Sequence, residues 1–319
     1  MDNVSHSLAG WALSRAAGRP RPPGTTLALV LASNLPDIDI VLQARSDAAY
    51  LLFHRGLTHS LVGLAVLPAA LAGGLWWGYG GRTRFGWFAL LSASGVALHL
   101  LYDVVTAWGT MLLYPFSARR YALDWLFIVD FVTWGLPVAA LLVARWRPAL
   151  ARRAVVGSLL ALLAYGAAAG MAHRSAVGRV VGAERGAGRA ISEAFAFPLP
   201  GAPLRWTGVA IAPPTAPEPR VSVYRLRGVP ARTAALGRLP RGFDDPWVTA
   251  AIATRTGQAY VWWARVPVAS TERRGDEVTV TLRDLRFGRT RIPTAETWSP
   301  FALRFRFEAR TGKLIDATW

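Results

Sequence analysis

Cysteine is absent from the 319 residues, which excludes disulfides, zinc ribbons and thiol catalysis. Any metal held by this chain must bind His, Asp, Glu or backbone oxygens. Charge is scarce too: 17% of residues are charged against 53% hydrophobic, and the mean hydropathy is +0.29. Soluble domains carry about 25% charged residues, so the polar coat is thin and the chain reads, at least in part, as a membrane protein. Lysine is nearly missing, with Lys313 the one exception among 36 basic residues. The net charge of +17 comes without a basic block interleaved with aromatics and without a nucleic-acid motif. No nucleic-acid partner is expected; a topological role among membrane lipids suits the positive charge better.

Glutamate and lysine are both missing from the first 173 residues, which hold 13 Arg and 7 Asp; the other 146 hold 22 Arg and one Lys against 12 acids. That shift predicts a helical membrane domain over residues 1–173 and a basic, β-rich extramembrane domain over 174–319. Residues 60–81 are 22 positions without a charge, enough for one span of about 20 residues. Further spans are expected from residue 85, over 126–144 and over 154–172. Residues 24–36 are apolar but short, which favours a buried or re-entrant helix. Residues 1–20 do not read as a signal peptide, because His6, Ser7, Gly10 and Trp11 interrupt the place of an apolar core. The positive-inside rule puts the loops of Arg82 and Arg84, and of Arg145, Arg147, Arg152 and Arg153, in the cytoplasm, and the C-terminal domain on the outer side; Arg119 and Arg120 argue the other way.

In the last part, Val278, Val280 and Leu282 alternate with Thr279, Thr281 and Arg283, and Leu303, Phe305 and Phe307 with Arg304, Arg306 and Glu308. A period of two marks half-buried strands. Arg273–Asp276 and Arg310–Lys313 read as turns, and 212–217 as a stiff loop. The fold class is therefore an α-helical integral membrane domain of about four spans with re-entrant or short helices, followed by a small antiparallel domain.

Against this apolar background the polar residues gather. Four of the five histidines fall in short clusters with aspartates: His6; Asn34-Leu35-Pro36-Asp37-Ile38-Asp39; His54-Arg55-Gly56-Leu57-Thr58-His59; and His99 with Asp103. Ionisable groups at membrane depth are costly and point to function. His99 and Asp103 are four apart and share one helix face. His99 lies 15 residues beyond Arg84, roughly 22 Å along a helix, so it should meet the His59 cluster near one membrane face. Each piece alone has a structural reading: a helix-tying His–Asp bond, a proline turn at Asp37–Asp39, a structural His6. Together they offer four imidazoles and three carboxylates, enough for one or two divalent ions, each open to water. Mixed N/O donors suit Zn, Mn or Fe.

Arg55 would clamp a phosphate oxygen or serve as an interfacial arginine. Thr58 is a candidate cap for the first span. Asp124 and Asp130 either support the histidines or pair with Arg119 and Arg120. His173 is expected at an interface.

Read in order, the clusters His6 with Gly10, Asn34–Asp39, His54–Ser60, and His99–Asp103 with Thr106 and Gly109 resemble the YdjM-like family of bacterial inner-membrane, metal-dependent hydrolases. The resemblance covers residues 1–135. It implies a divalent-metal site at His6, Asp37, Asp39, His54, His59, His99 and Asp103, and a distant kinship with zinc phospholipase C and P1 nuclease.

Three readings follow. The first is a membrane metallohydrolase cleaving a phosphoester, such as that of a lipid headgroup, with a metal-activated water as nucleophile, Arg55 on the phosphate, and Asp37 or Asp39 relaying a proton. The second is a metal-binding transporter or sensor, which should spread polar groups over several depths. The third is a structural or regulatory membrane protein with a buried polar network, for which seven potential ligands are more than is needed.

Overall fold

A computed structural model of the chain describes residues 1–16, 21–216, 220–288 and 301–319. They form two compact units. The first comprises Met1–Val41, Phe53–Met171 and Pro200–Pro203; the second comprises Leu42–Leu52, Ala172–Leu199 and Leu204–Trp319.

The first unit is helical. Helices α1 (Asn3–Ala16) and α2 (Thr25–Ala32) form a hairpin, and α2 continues after a 42° bend into a 3-10 segment, Leu35–Ala44. Pro36 accounts for the break, since a proline has no N–H to continue the α-helical ladder. This bent pair is either a broken span or a re-entrant loop. A short helix, α3 (Asp47–Phe53), leads to α4 (Leu61–Gly78) and α5 (Phe85–Val104). Both are long and apolar enough to cross a membrane. Only 17% of α4 is buried inside the protein, so its apolar surface faces outward, as lipid requires and a soluble core does not. Its buried residues are mostly small, among them Gly63, Pro68 and Ala72. Ser60 caps α4 by accepting the Gly63 N–H at 3.1 Å, so the cap lies two residues after Thr58.

Helix α5 buries one face, running through Phe88, Leu91, Ser92, Val96, His99 and Asp103 at spacings of three and four. Gly95 on this face admits α2: a Cβ there would meet the Ala32 Cβ at 2.6 Å. Gly10 does the same for α1, where a Cβ would lie 2.7 Å from the Leu29 carbonyl oxygen. Small residues at such crossings let backbones approach closely in membrane bundles.

Two expected spans differ in length. Helix α6 is Phe131–Trp146, only 16 residues, because Asp130 caps it by accepting the N–H groups of Val132 and Thr133 and fixes its start five residues after Leu126. Helix α7 is Ala151–Gly186, 36 residues, about 54 Å long. Arg174 ends the apolar run but not the helix, because Ala176 and Val180 find partners in Trp206, Tyr224 and Leu226 of the second unit.

That unit has two antiparallel four-stranded sheets rather than one. The first is β1 (Glu193–Leu199), β2 (Ala202–Ile211), β3 (Arg220–Arg227) and β4 (Arg232–Pro240) in that order. Helices α8 (Pro246–Ala253) and α9 (Arg255–Trp263) follow in sequence. The second is β5 (Pro267–Arg274), β6 (Glu277–Asp284), β7 (Leu303–Glu308) and β8 (Leu314–Thr318). Here the alternation read from sequence sets the register: Val278 pairs with Phe307, Val280 with Phe305 and Leu282 with Leu303, all buried. Residues 275–276 and 309–313 turn the chain between strands. Of the loop expected at 212–217, residue 217 lies outside the described residues.

Candidate metal centre

The aspartate and histidine clusters meet at one end of the first unit. His59 stands just before α4, His99 and Asp103 lie in the last turns of α5, and Asp37 lies in the 3-10 segment after α2. His6 reaches the same end because α1 runs antiparallel to α2, with Ser14 against Thr26 and Ser7 against Asn34. One ligand atom from each of Asp37, His59, His99 and Asp103 lies within 4.8 Å of the others.

The donor set is prepared for a cation. His99 Nδ1 is 2.8 Å from the Ser33 carbonyl oxygen, which can only accept, so Nδ1 carries the hydrogen and Nε2 presents a lone pair. His59 Nδ1 is 3.0 Å from Thr58 Oγ1, whose own hydrogen goes to Asp39 Oδ2, and 3.2 Å from that Asp39 oxygen; both oxygens accept here, so Nδ1 carries a hydrogen and Nε2 is the nitrogen open to a cation. These two nitrogens are 3.1 Å apart. Asp103 Oδ2 lies 3.3 Å from each of them, and Asp37 Oδ1 lies 3.3 Å from His59 Nε2 and 3.7 Å from His99 Nε2. A tetrahedral ion with bonds of about 2.0–2.1 Å needs ligands about 3.4 Å apart. Asp103 Oδ2 is buried with no hydrogen-bond partner, a costly arrangement unless a cation completes it. The residues therefore fit one divalent ion of the kind held by mixed N/O donors.

Around this group the chain builds supports. Asp103 Oδ1 is held by the Met1 amino group and by Arg55 Nη2 at 2.9 Å, which turns Oδ2 toward the histidines. Arg55 is 3% exposed and also donates to Thr106 Oγ1 at 3.2 Å. Its backbone takes φ 58°, and Gly56 follows where a Cβ would meet the Phe53 carbonyl oxygen at 2.6 Å. That tight turn aims the Arg55 N–H at Asp39 Oδ2, 2.9 Å away. Asp39 further accepts from Thr58 Oγ1 at 3.0 Å and contacts His54 Nδ1 at 2.8 Å. His6 stacks on His99 with ring centroids 3.8 Å apart, and its Nε2 lies 3.4 Å from Asp103 Oδ1.

Burial by itself would lower the His59 imidazole, but Asp103, Asp37 and Asp39 outweigh it and push it up to about 10, so at neutral pH Nε2 holds a proton that a bound divalent ion would displace. His54 is lowered by burial, against the pull of Asp39.

Of the seven sequence candidates, four form the group; His6 adjoins it, and Asp39 with His54 stands one layer back, behind His59. Thr58 serves Asp39 rather than capping α4. Asp130 serves neither of its expected roles: besides capping α6 it accepts the Tyr165 hydroxyl at 2.7 Å. His173 lies within α7 and outside the group. The Ser33 carbonyl had no sequence signal, because a backbone oxygen carries none.

A family model described as YdjM inner membrane protein matches residues 1–176. A Bacillus subtilis (strain 168) protein described as "Uncharacterized protein YfhP" is 30% identical over 135 residues, 39% of this chain and 40% of that protein. The match thus spans two-fifths of that curated relative. No solved structure matches.

Proposed function

The chain belongs to the YdjM inner membrane protein family, and from that premise we propose that it is a membrane-bound, metal-dependent hydrolase of a phosphoester, with a lipid headgroup as substrate. The observation that carries this reading is the convergence of two imidazole nitrogens and two carboxylate oxygens within 4.8 Å. Asp37, His59, His99 and Asp103 would hold one ion, with Zn the first choice and Mn or Fe the others; for catalysis the position of Asp37, the most open of the four, would have to yield to water or substrate. Such an ion supplies Lewis acidity toward a phosphoryl oxygen and lowers the pKa of water.

The protein residues then divide the remaining work. Arg55 positions Asp103, and Asp39 positions His59 through Nδ1. Asp37 is the most open member of the group, its side chain 14% exposed while those of the other three are fully buried. Substrate therefore approaches from the Asp37 side, where that carboxylate can exchange a proton with it. Ile38, Ile40 and Val41 stand exposed beside it, at 56%, 57% and 65%, which favours an apolar, lipid substrate. The positive-inside rule supports a cytoplasmic position for the arginine loops at the opposite end of the bundle, and hence an outer position for the metal group and the C-terminal part.

The test is metal content of the detergent-purified full chain together with phosphodiester turnover on phosphatidylglycerol and phosphatidylethanolamine. The native protein is compared with Asp37→Asn and with the His99→Ala/Asp103→Ala pair. About one equivalent of metal, lost together with turnover, is the expected result. Metal without turnover on either lipid would overturn the hydrolase and leave a sensor or transporter. Metal-free, folded native protein would overturn any metal role.

A further inference from the structure

The end of the first unit away from the metal group is as one-sided in charge as the metal end is acidic. Thr83 donates to the Pro23 carbonyl at 3.1 Å, which brings the α1–α2 and α4–α5 connections together there. The α6–α7 connection reaches the same end, so Arg15, Arg21, Arg82, Arg84, Arg145, Arg147, Arg152 and Arg153 collect on it. The unit's acids lie elsewhere: Asp37 and Asp103 in the metal group, Asp39 behind His59, Asp2 against Trp134, Asp130 at the start of α6, and Asp124 in the loop after α5.

Within this arginine end is a recess of about 320 Å³, lined by Arg15, Arg21 and Arg152 and walled by Ala144, Pro148 and Val155. None of its lining residues is acidic. Arg15 rests on the Trp11 ring at 5.5 Å, and its buried Nε has no hydrogen-bond partner. Arg21 Nη1 donates to the Ser14 carbonyl at 3.2 Å. The Arg15 and Arg152 guanidiniums, in a pocket whose described lining has no carboxylate and an apolar wall, call for an anion that brings its own apolar part. Arg offers planar, bidentate recognition of phosphate, and basic recesses between membrane helices suit anionic headgroups. The volume lies at the small end of ligand pockets, enough for a phosphate and its glycerol linkage.

We propose that this recess binds the phosphate of an anionic phospholipid, with Arg15 and Arg152 as its principal ligands and the Ala144–Val155 wall against the start of an acyl chain. The site is separate from the metal group and does not depend on its chemistry. Free phosphate shares the headgroup's charge but not its chain, so a lipid should bind much more tightly.

The test uses the full chain in a neutral detergent, with bound lipids counted by native mass spectrometry and the thermal midpoint followed during titration. The probes are short-chain phosphatidylglycerol, short-chain phosphatidylcholine and inorganic phosphate. Phosphatidylglycerol should bind with one retained equivalent and raise the midpoint; the other two should do neither at the same concentration. Arg15→Gln/Arg152→Gln should weaken phosphatidylglycerol at least tenfold, while Arg82→Gln/Arg84→Gln, at the same end but outside the recess, should leave it unchanged. Arg152 is exposed, so Arg152→Gln alone serves if the pair fails to fold, with a loss of at least threefold expected. Equal weakening in the two pairs would mean diffuse attraction and overturn the recess. Inorganic phosphate binding as tightly as the lipid would overturn the lipid and leave a soluble anion. Affinity unchanged in Arg152→Gln and the double variant alike would overturn the proposal outright.

Discussion

Both oxygens of Asp39 are already engaged, one by His54 and the other by the Arg55 N–H, Thr58 and His59, whereas Asp37 presents Oδ1 to the Nε2 nitrogens of His59 and His99. The two carboxylates stand two residues apart and should behave differently. A partner that orients a ligating histidine is typically worth 10–100-fold in metal affinity. Asp39→Asn should therefore lower zinc affinity by about 10–100-fold, measured by competition with a chelator, with the helical content unchanged. Asp37→Asn removes a ligand and should cost more. Equal losses would make Asp39 a ligand in its own right, and no loss at Asp39 would remove its positioning role. Sequence brought both residues to the site by their place after an apolar segment. It could not rank them, because the ranking depends on a turn at Arg55 and Gly56 that comes sixteen residues later.

At the scale of elements, the metal group depends on how closely α2 lies against α5. Ser33, whose carbonyl fixes the His99 tautomer, directly follows α2, and Gly95 sets the distance. A methyl at Gly95 would meet the Ala32 Cβ at 2.6 Å and the Ser33 nitrogen at 3.1 Å. Gly95→Ala should destabilise the bundle by about 1–3 kcal/mol, the usual cost of overpacking, and weaken metal binding in the same sample. Gly74, on α4 with nothing within 4 Å, gives the contrast: Gly74→Ala should be neutral or slightly stabilising, since alanine is the better helix former. Thermal midpoints and metal titrations of the two variants decide the matter, and a similar response at both sites would discard the close-approach argument. Elements were legible wherever the sequence itself alternates or runs long without a charge. The alternation of β6 and β7 and the charge-free stretch of α4 were read directly, and the spacing of His99 and Asp103 gave the inner face of α5. The first sheet gave no such signal: six successive residues of β2, Trp206–Ile211, are buried, and that run carries neither a charge nor a period of two. The length of α7 was hidden for another reason. Its continuation past Arg174 is stabilised by Trp206 and Leu226, contacts that a window on the helix itself does not contain.

For the whole molecule, the distribution of charge along the bundle predicts an orientation that can be measured. Eight arginines collect at one end and the carboxylates of the candidate metal group at the other, and a loop rich in arginine tends to stay on the cytoplasmic side. Arg119 and Arg120 lie at the metal end and oppose this bias. Arg120, however, is tied by Nη1 to the His54 and Gly109 carbonyls at 3.1 and 3.2 Å, so its charge has a local structural use. The missing cysteines make the test clean, since any thiol introduced is the sole one in the chain. Arg82→Cys lies on the arginine end, Ala118→Cys on the loop after α5, and Arg310→Cys on the β7–β8 turn, all exposed. A membrane-impermeant maleimide applied to intact spheroplasts should label Ala118→Cys and Arg310→Cys, and should reach Arg82→Cys only after the membrane is opened. The reverse pattern would place the metal group in the cytoplasm, withdraw outer-leaflet headgroups as its substrates, and move the arginine recess to the outer leaflet. Labelling of Ala118→Cys and Arg310→Cys from opposite sides would instead mean that α7 does not return the chain to the side of the metal group.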